Sequence, residues 1–143
     1  MTQIQRQIDR IVIRLKQQEA LKNVRFVREY ATDYVETPVR GILAVVGIKE
    51  TSREKGYIGG YVSSSVKGEL YEAKAEIRVY APQSENGSGL SELVGELLSG
   101  LRRADEEKIL TDAGAFSIEF DPDLNAIFRR VAFSMEFCLC EEV

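Results

Sequence analysis

Two groups of carboxylates are the residues of this sequence that could perform chemistry. Asp105, Glu106 and Glu107 are consecutive, and Asp121 and Asp123 flank a proline. Grouped carboxylates can act as a general acid and base, or can bind calcium. Neither group has the spacing of an EF-hand loop, so we interpret both as solvated charges in turns.

The remaining sequence gives little support for catalysis. Histidine, the commonest general base and metal ligand, is absent. Cys138 and Cys140 are too few for a zinc site and are poorly spaced for a mutual disulfide, so we expect free thiols. The glycine-rich stretch 56–61 lacks the Gly-Lys-Ser/Thr ending of a phosphate-binding loop. These features disfavour an enzyme.

Charge is unevenly distributed along the chain. The 143 residues carry a net charge of −4, but residues 1–28 contain seven Lys or Arg and only two acidic residues. This asymmetry could pair the amino-terminal helix of one subunit with the acidic body of another, although a solvated helix face accounts for it equally well. Because aromatic residues are not interleaved with the basic ones, the pattern argues against sequence-specific nucleic-acid binding.

The length fits a single domain, residues 1–143, that can bury a core without disulfides. No apolar run approaches the roughly 20 residues that cross a bilayer, and the first ten residues lack a signal-peptide core. We therefore expect a protein that folds in the cytosol and has no membrane partner.

The first predicted element is an amino-terminal helix within residues 1–21, starting at residue 2. Its apolar residues recur at helical spacing and form one stripe: Ile4, Ile8, Ile11, Val12 and Leu15. Arg6, Arg10 and Arg14 lie off this stripe. We take these arginines as candidate subunit contacts, and we expect their replacement to leave the fold intact.

Three segments in the first half of the chain have strand patterns. Residues 24–30 have mixed character, and an irregular connection, 31–40, separates them from 41–49. Residues 41–49 are apolar at both parities, as in a central strand covered on both faces. Residues 71–81 alternate between apolar and charged side chains, so one face of that strand is core and the other is solvated.

A second helix follows the alternating strand. Pro82 ends the strand, and a polar loop, residues 83–89, leads to a helix that Ser88 can cap. The helix has one apolar stripe: Leu90, Leu93, Val94, Leu97, Leu98 and Leu101.

Two closing strands complete the chain. The first, residues 115–120, alternates so that Phe116, Ile118 and Phe120 share one face. After a turn at residues 121–123, the second strand spans about 127–140 and has these residues on its core side: Val131, Phe133, Met135, Phe137 and Leu139.

Residues 50–68 are the least core-like part of the middle of the chain, and we interpret them as an extended hairpin or protruding arm. Loops of this length are uncommon in compact domains unless they have a function. Arg53, Lys55, Tyr57 and Tyr61 are further candidate subunit contacts, since tyrosine supplies contact area at low entropy cost. A hairpin without such contacts is an equally good interpretation.

Together these elements predict an α+β fold. The order is helix, two strands, arm, strand, helix and two strands. A mainly antiparallel sheet of about four to five strands, with both helices packed on one face, accommodates this order most simply.

The chain resembles the tail terminator (tail completion) proteins of tailed bacteriophages and of phage-tail-like particles. The resemblance covers about residues 41–140, and the amino-terminal helix is in keeping with it. It rests on length, on element order and on the passage from Val79-Tyr80-Ala81-Pro82 through a glycine loop to Gly87-Ser88-Gly89-Leu90.

The resemblance implies a structural subunit of the virion tail, assembled in the host cytoplasm, that is not an enzyme and uses no cofactor. Copies of it would form a hexameric ring on the last ring of the tail tube protein, stop tube growth and present the opposite face to the head connector or neck protein. Ring closure would be heterologous, so that each subunit offers one surface to a different surface of its neighbour. The arm and the basic first helix are the segments to which we assign those contacts.

Two other classes of protein stay open. One is a different structural subunit of the same particle, from the tube, neck or baseplate. The other is a small ligand-binding α+β domain with a pocket near Tyr57, Tyr61 and Tyr80. The missing histidine and the lack of convergent polar residues disfavour the second class.

Overall fold

In the computed structural model of the chain, the described residues are 3–28, 41–53, 60–61, 66–82, 89–124 and 126–142. They form two helices, α1 (Gln3–Lys16) and α2 (Leu90–Ala104), and a short 3-10 helix (Glu19–Leu21). The strands are β1 (Arg25–Arg28), β2 (Leu43–Arg53), β3 (Gly60–Tyr61), β4 (Val66–Pro82), β5 (Leu110–Ala115), β6 (Glu119–Asp121) and β7 (Ala126–Glu142).

These strands form one sheet in the order β1-β2-β4-β7-β5. β3 pairs with β4 beyond the end of β2, and β6 pairs with β7 beyond the end of β5, so the sheet is five positions wide. β1 and β2 are parallel, and every other described pair is antiparallel. A parallel pair needs a connection of about a dozen residues or more, which residues 29–42 supply. The predicted α+β fold with a mainly antiparallel sheet is confirmed.

The long antiparallel pair of β4 and β7 forms the centre of the core. The alternation predicted for β4 is confirmed, because its odd-numbered residues are buried on one face: Ala73, Ala75, Ile77, Val79 and Ala81. The register places the buried residues of β7 on the same face: Val131, Phe133, Met135 and Phe137. Burial of these side chains under the helices is the main apolar contribution to stability.

Both helices cover this face of the sheet, as predicted. Each helix packs by the stripe that its sequence predicts. The buried residues of α1 are Ile8, Ile11 and Leu15, and those of the α2 stripe are Leu90, Val94, Leu97 and Leu101. The two helices also contact each other, so the core is a two-layer arrangement of helices on a sheet.

The opposite face of the sheet is apolar at one end and charged along its middle. A second cluster of buried side chains lies at the apolar end: Val27, Leu43, Tyr80 and Ala126. The Tyr80 ring stacks on Phe128 of β7, with the ring centroids 5.0 Å apart. Farther along β4, charged side chains replace the apolar ones on this face: Glu72, Lys74, Glu76 and Arg78.

The first helix is shorter than predicted. α1 ends at Lys16, and the chain continues through the 3-10 helix to Leu21. Gln18 adopts an extended backbone conformation, with φ −81° and ψ 133°, and its Nε2 donates a hydrogen bond to Gly100 O at 3.0 Å. The next turn then buries Leu21 in the core. Contacts with α2 therefore override the helical pattern of residues 17–21.

The cap of the second helix also differs from the prediction. The N-cap residue of α2 is Gly89, whose φ of 77° lies in the left-handed region that favours glycine. Gly89 provides no side-chain hydrogen bond to the helix. The N-cap position therefore falls one residue after Ser88, the predicted cap, and Ser88 itself lies outside the described residues.

The predicted strand over residues 115–120 is wrong. β5 ends at Ala115, and β6 begins only at Glu119. Phe116 N donates to Arg130 O, whereas Phe120 is opposite Ile127. The four residue steps from Phe116 to Phe120 therefore lie opposite only three steps of β7, from Arg130 to Ile127. The extra residue moves Phe120 to the face of the sheet opposite that of Phe116. The alternation in the sequence therefore did not predict a shared face.

The predicted arm, residues 50–68, is partly described. Its first residues belong to β2, which ends at Arg53 opposite Tyr71, and its last residues belong to β4. Gly60 and Tyr61 pair with β4, which agrees with an extended hairpin. The irregular connection predicted for 31–40 and the side chains of Cys138, Leu139 and Cys140 lie outside the described residues.

Candidate functional site

The first carboxylate group, Asp105 to Glu107, follows the carboxyl end of α2, and its contacts are structural. Asp105 is buried, and its carboxylate accepts hydrogen bonds from Ile109 N at 2.8 Å and Leu110 N at 3.1 Å. It therefore satisfies two backbone donors where the chain turns from α2 into β5. The interpretation of Asp105 as a solvated charge is therefore wrong. The sequence does not reveal the backbone N–H groups that its carboxylate binds.

Glu107, the third residue of this group, holds the first helix. Arg14 Nη1 donates to Glu107 Oε2 at 2.6 Å, and Arg14 Nη2 donates to Glu107 Oε1 at 2.8 Å. Nη1 also donates to Ala104 O at 3.0 Å, and Nη2 lies 3.3 Å from Glu106 Oε2. The guanidinium thus contacts the carbonyl end of α2, where a cation is favoured, and binds one carboxylate through both oxygens.

This ion pair perturbs both partners. The hydrogen bonds from Arg14 lower the pKa of Glu107 from 4.5 to about 2, because they stabilise the ionised carboxylate. Reciprocally, Glu107 raises the pKa of Arg14 above its ordinary value. The pair stays charged throughout the physiological range, so we assign it a structural role between α1 and the end of α2.

Two further contacts fix the position of α1. Gln18 Oε1 accepts a hydrogen bond from Arg103 Nη2 of α2 at 3.1 Å, in addition to its bond to Gly100 O. On the other side, Arg28 Nη2 of β1 lies 3.1 Å from Asp9 Oδ2 of α1. Of the three candidate arginines on α1, Arg6 and Arg10 are exposed, and Arg14 is engaged within the chain.

The second carboxylate group closes the turn between β6 and β7, which was predicted as a turn. Asp121 Oδ1 accepts hydrogen bonds from Asp123 N at 2.9 Å and Leu124 N at 3.3 Å. Asp121 Oδ2 accepts a 3.4 Å hydrogen bond from the buried Tyr80 hydroxyl. Burial raises the pKa of Tyr80, and the charge of Asp121 acts in the same direction, so the phenol stays protonated at neutral pH.

Neither carboxylate group is arranged as a metal site. In the part of the chain that the structure describes, no three His, Cys, Asp or Glu side chains are grouped so that they could hold a metal ion. The carboxylates of Asp105 and Asp121 are already occupied by backbone donors.

The candidate contacts of the hairpin lie apart from α1 in the fold. Arg53 is the last residue of β2, and Tyr61 pairs with Lys67 near the start of β4. The side chains of Arg53 and Tyr61 lie outside the described residues, as do Lys55 and Tyr57 entirely. Tyr80 is buried against Phe128, so its ring does not line an open pocket.

Sequence reasoning missed an exposed apolar surface at the β5–β6 side of the sheet. Phe116, Ile118 and Phe120 are 48%, 51% and 50% exposed. We call these three residues the apolar edge. The available signal was their position in an acidic segment, since residues 110–124 contain four acidic and no basic residues. An alternating run flanked only by carboxylates is a poor candidate for a buried strand.

Two arginines of β7 hold the apolar edge in place. Arg129 Nε donates to Phe116 O at 2.7 Å, and Arg129 Nη1 donates to Ser91 Oγ of α2 at 3.2 Å. Arg130 Nε donates to Glu119 Oε2 at 2.8 Å, and its guanidinium carbon lies 4.8 Å from the centre of the Phe116 ring. The edge is therefore an ordered part of the fold, although its side chains are half exposed.

A groove lies at the opposite side of the sheet, between α1 and β1. Its volume is about 290 Å³, and its apolar lining includes Val12, Ile13 and Phe26. Ile13 is the exposed apolar residue of α1, at 54%. The charged residues of the same lining are Asp9, Lys16 and Arg28, and Arg28 pairs with Asp9, so Lys16 supplies the uncompensated positive charge. We call this feature the α1–β1 groove.

Comparison with known protein families and curated sequences gives no match. None of the helices in the described ranges is both long and apolar enough to span a membrane. Inference about function therefore rests on the surfaces described above and on the sequence resemblance.

Proposed function

We propose that this chain is a structural tail terminator of a bacteriophage or phage-tail-like particle. It forms a hexameric ring on the end of the tail tube, ends tube polymerisation, and joins the tail to the head connector or neck protein. In this role it acts through contacts between subunits and catalyses no reaction. Its place is the virion tail, after assembly in the host cytoplasm.

The observation that carries the proposal is the apolar edge. Three large apolar side chains, Phe116, Ile118 and Phe120, are each about half exposed along one short segment. Phe116 and Phe120 face opposite sides of the sheet, so the edge presents apolar surface on both sides, which favours a protein contact there. A subunit that works by assembly needs such a surface.

The element order supports the same proposal. β4 ends at Pro82, α2 begins at Leu90 and packs back onto the sheet, and β7 pairs with β4 inside the sheet. This is the order of elements on which the resemblance to tail terminators rests. Fold and function are separate properties, so the order supports the assignment without establishing it.

Deletion of the gene, followed by electron microscopy of the particles, tests the proposal. We expect overlong, headless tails of normal tube diameter, and a plasmid copy of the gene should restore normal length and infectivity. Tails of normal length that lack heads would instead indicate a neck subunit, and absence of tails would indicate a tube or baseplate subunit. Normal infectious particles after deletion would overturn any role of this kind.

A further inference from the structure

The two sides of the sheet carry surfaces that complement each other. The apolar edge lies on the β5–β6 side, and the α1–β1 groove lies on the β1 side, at the other end of the strand order. We infer that the apolar edge of one copy docks into the α1–β1 groove of a second copy. The occupant of the groove is thus another molecule of this chain.

The position of Phe120 suits this contact. Phe120 is opposite Ile127, whose side chain packs against the helix-covered core, so Phe120 lies on the helix-facing side of the sheet. The α1–β1 groove lies on that same side, because α1 forms one of its walls. Its volume of about 290 Å³ lies just below the range of about 300–1,000 Å³ for small-molecule sites, which favours inserted side chains over a small-molecule ligand.

The charges of the two surfaces are opposite. Asp121 and Asp123 follow Phe120 within three residues, and Asp123 is exposed. At the other surface, Lys16 lines the groove beside Ile13, and the remaining charged lining residues, Arg28 and Asp9, pair with each other, so the net charge of the groove is positive through Lys16. The sequence shows the same contrast. Residues 1–28 are strongly basic, whereas all charged residues in 110–124 are acidic. Opposite potentials orient the encounter and disfavour contacts between like edges.

The apolar edge is held in position by contacts within the free subunit. Arg129 holds the backbone at Phe116, and Arg130 joins Glu119 to the Phe116 ring. A surface that is ordered in the free subunit loses little conformational entropy on binding. Contacts of Ile118 and Phe120 with the groove can therefore contribute to affinity with little offset from ordering.

Docking one edge on a different edge is a heterologous contact. Repetition of such a contact produces a closed ring or an open filament, depending on the rotation between copies. Within the proposed terminator this contact joins neighbouring subunits, and the closure at six copies rests on that proposed function. The contact itself requires only the two surfaces.

Sedimentation velocity and native mass spectrometry of purified variants test the contact. Ile118→Ser/Phe120→Ser removes two of the three apolar side chains of the edge and leaves the groove intact, whereas Ile13→Glu blocks the groove and leaves the edge intact. We expect concentration-dependent oligomers for the wild type and an association constant lowered by at least about 30-fold in each variant. An equimolar mixture of the two variants retains one intact pair of surfaces, so it should form dimers and nothing larger.

Ser99→Glu is the matched control for Ile13→Glu, since it adds the same charge at an exposed helix position on α2. It should associate like the wild type. A wild type that stays monomeric at the highest accessible concentration would overturn the contact. So would variants that associate normally, or an equimolar mixture that remains monomeric.

A charge exchange provides a second test that leaves the apolar residues in place. Lys16→Glu and Asp123→Lys should each weaken association, and the two substitutions in one chain should restore it at low salt, because the charges again oppose each other. If each single variant associates more weakly but the double variant does not regain association, Lys16 and Asp123 do not face each other in the contact. Circular dichroism spectra identify any variant that has lost its fold, and the charge exchange then decides.

Complementation separates failure of this contact from failure of the proposed function. If gene deletion gives overlong tails but Ile118→Ser/Phe120→Ser complements fully, the terminator proposal stands and this contact is wrong. If the variants and their mixture associate as expected but deletion leaves normal tails, the contact stands and the terminator proposal is wrong.

Discussion

Gly100 of α2 and Leu15 of α1 approach so closely that a Cβ atom on Gly100 would lie 3.1 Å from Leu15 Cδ2. The same atom would lie 2.8 Å from Gln18 Oε1. Gln18 cannot move away freely, because its side chain bonds both Gly100 O and Arg103. The missing side chain at residue 100 therefore sets how near the two helices lie.

A pair of glycine substitutions in α2 tests this approach. Gly95 is exposed and a Cβ there would meet nothing within 4 Å, so Gly95→Ala should stabilise the protein by up to about 1 kcal/mol through helix propensity. Gly100→Ala gains the same propensity but overpacks the helix contact, which typically costs about 1–3 kcal/mol. We expect Gly100→Ala to lower the free energy of unfolding in urea titrations. Equal stabilisation by both substitutions would contradict the described packing.

The Arg14–Glu107 pair predicts a dependence of stability on pH. The pKa of Glu107 is about 2 in the folded chain, against 4.5 for an ordinary glutamate, so the folded state stabilises the ionised form. The contribution is fully present above about pH 4.5 and is lost as the pH falls towards 2. We expect the melting temperature of the wild type to exceed that of Glu107→Gln at pH 7, and the difference to shrink between pH 4.5 and 2.

Glu106→Gln is the control for this measurement, since Glu106 is more exposed and lies farther from the guanidinium. Its effect on melting temperature should be smaller at every pH. Because the pair is partly exposed, added salt should also reduce the effect of Glu107→Gln. A difference between wild type and Glu107→Gln that persists unchanged at pH 2 would rule out the ion pair as its cause.

Much of the fold could be predicted from the sequence, because burial imposes a period on each element. The odd-numbered residues of β4, from Ala73 to Ala81, had to alternate with charged ones once only one face was covered. The stripe of α2 followed for the same reason. In these elements local pattern and tertiary burial agree.

The surfaces were harder to predict, since they depend on contacts between distant residues. Arg14 and Glu107 are 93 positions apart, and no spacing rule relates them. The faces of Phe116 and Phe120 depend on one extra residue between β5 and β6, which alternation alone cannot reveal. The sequence therefore predicted the covered face of the sheet but missed what is exposed at its edge.

Two phenylalanine substitutions test the assignment of these faces. Phe133 is buried beneath the helices, so Phe133→Ala should cost about 3–5 kcal/mol by leaving a cavity. Phe120 is half exposed, so Phe120→Ala should change the free energy of unfolding of the monomer much less, by about 1 kcal/mol at most. Urea unfolding at low protein concentration measures both. Similar losses at the two positions would mean that Phe120 belongs to the core.

Replacement of the α1 arginines by glutamate separates folding from assembly. Arg14→Glu should lower the melting temperature, because it removes the pair with Glu107 and places a carboxylate beside Glu106 and Glu107. This corrects the expectation that all three arginines can be replaced without loss of fold. Arg6→Glu/Arg10→Glu changes two exposed positions off the buried stripe. Because surface substitutions typically have small effects on stability, the melting temperature should stay within a few degrees of that of the wild type.

The same variants then report on the proposed ring. If Arg6 and Arg10 meet an acidic surface of a neighbour or of the tail tube, Arg6→Glu/Arg10→Glu should yield folded subunits that fail to complement a gene deletion, giving overlong or headless tails. Arg6→Lys/Arg10→Lys retains both charges and should complement, which separates loss of charge from loss of arginine. The defect should lessen in an assembly assay at high salt, because like charges that face each other across an interface are then screened. Tails of normal length and full infectivity with the double glutamate variant would remove Arg6 and Arg10 from the interface and leave the apolar edge and the α1–β1 groove as its remaining described surfaces.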